Sequence, residues 1–186
     1  MFLQAKSFVL TGIWKIDESK DTVLAAATNR SVPNVVRMAA LTALAEMELP
    51  EAGAVLASHA DKPNPPDLRS VSIRALAHID LQAAAAMTAR FFDELDLSEY
   101  DPTPTLAELL DRLGGAEAVV LAIDNIELSP NSAKQILRSL YSTGRSDESL
   151  VEALNRAIGS SIQPPDFSED YVNGLVPEAS RHGDSR

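Results

Sequence analysis

The sequence predicts an all-α protein, an α-solenoid of stacked helical hairpins, from a repeat register, a constant hairpin spacing and a composition rich in small helix formers. The stretch VRMAALTALA at 36–45 returns 32 residues later, so that Arg37, Leu41, Ala43, Leu44 and Ala45 fall on Arg69, Ile73, Ala75, Leu76 and Ala77. The preceding element moves with it, Val23, Leu24 and Ala25 falling on Val55, Leu56 and Ala57. Three such intervals on, Val23, Leu24, Ala27, Leu41 and Leu44 meet Val119, Val120, Ile123, Leu137 and Leu140. In each unit the paired helices keep a 17-residue separation, Leu24 to Leu41, Leu56 to Ile73 and Val120 to Leu137. Hydrophobic residues make up 45% of the chain and aromatics only 5%, so the helices are expected to pack closely on Ala, with Leu, Ile and Val between them.

Each element follows from local signals. Residues 2–16 place Phe2, Leu3, Phe8, Val9, Leu10, Ile13, Trp14 and Ile16 on a broad apolar face; this helix either caps the stack or is the second half of a unit. Ser19 is positioned to cap a helix running to about Asn29, and Ser31 and Pro33 open its partner with Val36, Ala40, Leu41, Leu44 and Met47 at helical spacing. Pro50 opens the second unit, whose outer helix covers 50–60. The connection 61–67, DKPNPPD, is non-helical because its prolines restrict themselves and the residues before them. Leu68 to Ile79 is the second inner helix, and Asp80 caps 81–95, whose apolar residues point several ways and imply contacts on more than one face.

The third unit slips out of register after the acidic loop 96–102. Thr103 and Pro104 open its second helix, with Leu106, Leu109, Leu110 and Leu113, and Gly114 and Gly115 close it. Residues 116–124 start the fourth unit, Ser129 and Pro130 open its partner, and Ser146, Asp147 and Glu148 start a final stripe of Leu150, Val151, Leu154 and Ile158 before Gly159. The expected organisation is therefore a HEAT-like repeat domain over 1–159, a linker over 160–167, and over 168–186 a short helix with a polar tail, about 10 or 11 helices in all.

Composition narrows the chemistry. The net charge of −11 opposes attraction to nucleic-acid phosphates and anionic lipid, and no basic helix offsets it. The chain has no cysteine, which excludes disulfides, thiolate metal sites, cysteine nucleophiles and covalent haem within these residues. The N-terminal apolar run is interrupted by Thr11 and Gly12 and lacks a small-residue cleavage site, so no signal peptide is expected. No apolar run approaches the roughly 18 residues of a membrane-spanning helix.

The candidate site residues divide between chemical and structural readings. His59, His78 and His182 stand apart, without a second ligand one helical turn away; His59 and His78 read as side chains bonding free carbonyls near helix ends. HExxH, GxSxG and P-loop patterns are absent. Asp93, Glu94, Asp96, Glu99 and Asp101 lack the turn that wraps a loop around Ca²⁺ and read as a solvated acidic edge. Arg37 and Arg69 recur at equivalent positions and are the candidate partner-binding residues. They form either a cation ladder facing a partner or internal pairs with acids of neighbouring units, and the second is favoured because Asp101 and Ala133 break the ladder. Trp14 is expected in the core. No catalytic, metal or cofactor-binding residue is expected.

The segments LTGIWKI at 10–16, VVRMAALTALAEM at 35–47, LRSVSIRALAHID at 68–80 and EASRHGDSR at 178–186 carry a resemblance. Through them the chain resembles the HEAT-repeat region of the large planctomycete-type (PVC-type) haem-binding CxxCH, membrane-bound dehydrogenase-like proteins. The resemblance implies a scaffold in an exported or periplasmic redox protein, truncated before its cytochrome c domain, with haem c only in that downstream domain. The function expected is a non-enzymatic helical-repeat scaffold that binds protein, with no cofactor in this chain, no nucleic acid and no membrane insertion. The alternative is a structural segment of a multidomain c-type cytochrome or dehydrogenase-like protein whose chemistry lies elsewhere.

Overall fold

The computed structural model describes residues 2–97 and 99–159. Those residues form ten α-helices and one short 3-10 turn, with no strand: α1 (Phe2–Ile13), α2 (Lys20–Thr28), α3 (Asn34–Glu46), α4 (Ala52–Ala60), α5 (Pro66–Leu76), α6 (Leu81–Glu94), α7 (Thr103–Leu110), α8 (Gly115–Asp124), α9 (Pro130–Ser142) and α10 (Glu148–Ile158). The expected linker 160–167 and the expected helix and tail 168–186 lie outside the described residues.

The helices form two layers. Odd-numbered helices follow one another, α1 on α3, α3 on α5, α5 on α7 and α7 on α9; α4, α6, α8 and α10 do the same in the second layer, and α2 covers α3. This is the all-α, solenoid-like architecture that the repeat register predicts. Leu41, Leu44, Leu56, Ile73 and Leu76 are all buried, whereas Leu24, Val55, Val120 and Leu137 are partly buried and Ala25 is exposed, so the register marks the core most closely on α3 and α5. The core runs unbroken from Phe8 to Leu154, as expected when each hairpin buries its apolar face only against its neighbours.

Helix α1 occupies the odd-layer position at the end of the stack, packed on α3. It meets α3 so closely that a Cβ on Gly12 would lie 2.7 Å from the Ala43 Cα. Only Phe8 and Gly12 of this helix are buried. Trp14 is therefore not a core residue, being 66% exposed, and Phe2 and Leu3 are 77% and 83% exposed. The apolar face is real, but among the described residues no even-layer helix lies against it.

Other local expectations are adjusted by tertiary packing. Ser19 makes no side-chain cap; residues Asp17–Ser19 form a 3-10 turn whose backbone leads into α2. Asp80 and Ser129 do cap, accepting from the backbone N–H groups of Ala83 and Ser132. The second outer helix begins at Ala52 rather than Pro50, and its partner begins at Pro66, because proline fits the first turn of a helix. The slipped unit yields a short α7 that ends at Leu110, before the two glycines, leaving Leu113 fully exposed. Gly115 instead opens α8, so close to Leu109 that a Cβ would fall 1.9 Å from its carbonyl oxygen.

Candidate functional site

Arg37 and Arg69 are both buried, at 5% and 4% exposure, and face into the stack. Each reaches back to the end of the preceding even-layer helix. Arg37 Nε donates to the Ala27 carbonyl at 3.4 Å and Arg69 Nε to the Ala60 carbonyl at 2.9 Å. The recurring arginine is thus a cationic group set at a helix C-terminus, where unpaired carbonyls and the helix dipole favour it. Arg69 also donates to Glu94 of α6 at 2.7 Å and lies 4.6 Å above the Phe91 ring. That is the expected pairing with an acid of the next unit. Arg37 differs: its second bond is to Asn34 Oδ1 at 3.3 Å, and burial together with Arg30 lowers its pKa from the ordinary arginine value.

The acidic segment is tied into the fold rather than simply solvated. Glu94 holds Arg69 at 2.7 Å and lies 3.5 Å from Lys62. Asp93 accepts from the Ser129 N–H at 2.8 Å, and Asp101 accepts from the Thr103 N–H at 2.9 Å. Among the described residues no three His, Asp or Glu side chains come together as a metal site. His59 is buried in the last turn of α4, and its Nδ1 donates at 2.8 Å to the Val55 carbonyl one turn back in the same helix rather than to a free carbonyl at a helix end. His78 instead faces Glu108 of α7 at 3.3 Å, while Glu108 also pairs with Arg112 at 2.9 Å. His182 lies outside the described residues.

A concave feature lies mostly outside the positions that the repeat register marks. It lies on the solvent-facing side of the odd layer, across α3, α5 and α7. A cavity of about 580 Å³ is lined by Met38, Asp67, Ser70, Val71, Arg74, Glu99, Tyr100, Asp101 and Pro104. A second, of about 260 Å³, is lined by Thr42, Val71, Arg74, Ala75, His78 and Glu108. The two share Val71 and Arg74 and together follow the length of α5. Beneath them Ser70 and Thr105 share a buried hydrogen bond of 2.7 Å that ties α5 to α7.

Arg74 stands at the junction. Its Nε is buried and has no hydrogen-bond partner among the described residues. The sequence signal for it was its place in the repeat: Arg74 is the equivalent of Thr42 shifted by the same 32 residues, on the helix face opposite the core positions Ile73 and Leu76.

A family model for HEAT repeats matches residues 5–77, the span from α1 to the end of α5. This segment is a HEAT-repeat region. A search of curated proteins and a search of solved structures each return no match. No helix among the described residues is long and apolar enough to cross a membrane.

Proposed function

We propose that the chain is a non-catalytic scaffold whose odd-layer face binds protein. The observation that carries this reading is the continuous groove over α3, α5 and α7, set on a HEAT-repeat region whose recurring side chains are spent on holding the stack together. Stacked repeats present extended surfaces of this kind, and their function resides in the side chains that the stack does not consume. No cofactor is assigned to the chain. The net charge of −11 favours partners with basic surfaces.

The test is cross-linking of the purified chain to proteins from its source, followed by hydrogen-exchange mapping of each complex. Protection confined to the solvent-facing residues of α3, α5 and α7 is expected. Protection elsewhere, or turnover of a substrate that a single point mutation abolishes, would overturn the reading.

A narrower reading places the scaffold inside an exported c-type cytochrome or dehydrogenase-like protein. Its support is the tail His182-Gly183-Asp184-Ser185-Arg186, which in the family it resembles precedes a CxxCH haem motif. Sequencing the gene beyond codon 186 tests it: a Gly-Glu and CxxCH directly downstream are expected, and a stop codon there would sink it.

A further inference from the structure

The groove is polarised along α5, and that polarity specifies what it holds. At the N-terminal end of α5, Asp67, Glu99 and Asp101 line the cavity together with the apolar surfaces of Met38, Val71 and Pro104. In the middle stands the Arg74 guanidinium, common to both cavities, with its Nε–H buried and unpaired. At the far end lies the His78–Glu108 pair. Three carboxylates at one end and a single unengaged cation beyond them repel a uniformly acidic ligand and suit one carrying both signs in order.

Extending the scaffold reading, on which this rests, we infer that the groove binds an extended protein segment in which a basic residue precedes or follows an acidic one at a fixed short interval. The acidic side chain sits on Arg74, whose planar fork matches a carboxylate. The basic side chain sits among Asp67, Glu99 and Asp101. Asp67 and Arg74 are seven positions apart on one helix, about 10 Å at 1.5 Å per residue. Three residues of chain in the extended polyproline II conformation span about the same distance at roughly 3.1 Å each and, with three residues per turn, return the first and fourth side chains to one face, so the basic and acidic residues stand about three positions apart. The residues between them are apolar, against Val71 and Met38. A side-chain carboxylate is favoured over a chain terminus because the groove continues past Arg74 to Thr42 and His78, leaving room for the chain to run on.

The experiment uses the intact 186-residue chain and two probes, acetyl-Lys-Leu-Leu-Glu-amide and acetyl-Glu-Leu-Leu-Lys-amide, titrated by NMR. Saturable binding of one of them is expected, with shifts at Arg74, Val71 and Asp67. Replacing its Glu by Gln, or Arg74→Gln in the protein, weakens binding at least ten-fold, and Asp67→Asn with Asp101→Asn weakens it through the basic residue. Asp67 is exposed, so the acid-end variants test the assignment even where Arg74→Gln lowers stability. No binding of either probe, binding indifferent to Arg74→Gln and to the acid-end variants, or equal binding of acetyl-Lys-Leu-Leu with a free terminal carboxylate would overturn the inference. Cross-linked partners on the odd-layer face combined with failure of both probes would leave the scaffold reading standing and remove this one.

Discussion

At the scale of single residues, burial and not residue type decides which side chains matter. Leu41 is fully buried and Trp14 is mostly exposed, although tryptophan has the larger apolar surface. Leu41→Ala is therefore expected to cost about 2–5 kcal/mol through lost burial and the cavity left behind, and Leu76→Ala the same. Trp14→Ala should change stability by less than about 0.5 kcal/mol, as surface substitutions do. Urea unfolding of the three variants checks the contrast.

Lys15 and Glu48 give a second residue-level case. Both have positive φ, 47° and 54°, just past the ends of α1 and α3, and they form an exposed 2.7 Å ion pair between those ends. The bond and charge of Lys15 lower the Glu48 pKa below the usual glutamate value. A carboxyl whose folded pKa is depressed adds stability above its unfolded pKa and loses it as pH falls through the folded one. The melting-temperature difference between wild type and Glu48→Gln should be small and present at neutral pH, and should close as pH falls below the usual glutamate range.

At the scale of elements, the odd layer is held by close approach and by side chains that finish neighbouring helices. Gly12 lets α1 lie against the α3 backbone at Ala43, where any Cβ would meet main chain rather than a side chain that can move. Gly12→Ala should destabilise by about 1–3 kcal/mol despite the better helix propensity of alanine, and hydrogen exchange should accelerate first in α1. Arg37, Arg69 and Arg145 each donate to a carbonyl at or near the end of another helix, Arg145 to the Leu110 carbonyl at the end of α7. The two arginines that the repeat register singled out are thus parts of one structural device, and a third, outside the register, does the same job across 35 residues.

At the scale of the whole molecule, 27 acidic against 16 basic residues leave a surface whose charges repel one another. Several acids are occupied, at Arg69, Arg112, Arg145, Arg156 and Lys15, and the excess remains. Screening it should raise the melting temperature by a few degrees (~2–5 °C) between roughly 20 mM and 500 mM NaCl, since the Debye length falls below the spacing of surface charges. A fall in melting temperature would mean that the ion pairs outweigh the repulsion.

The hairpin repeat, the helix breaks at 61–65 and 114, the caps at Asp80 and Ser129, and the burial of Leu41, Leu44, Ile73 and Leu76 are legible in the chain alone, although Pro66 and Asp67, expected in the break, belong to α5. These follow from periodicity and backbone restriction, which act over a few residues and recur in each unit. The exposure of Trp14, the isolation of Leu113 and the use of the acids at 93–101 were decided only by the tertiary structure, because each depends on whether a particular neighbour is present. Arg37, Arg69 and Arg74 show the distinction most plainly: all three are arginines on odd-layer helices, but only the stack decides which find a carbonyl. Arg37 and Arg69 turn toward the preceding helix end and are consumed there. Arg74, five positions beyond Arg69 and on the opposite face of α5, has no hydrogen-bond partner for its Nε among the described residues and lines the groove.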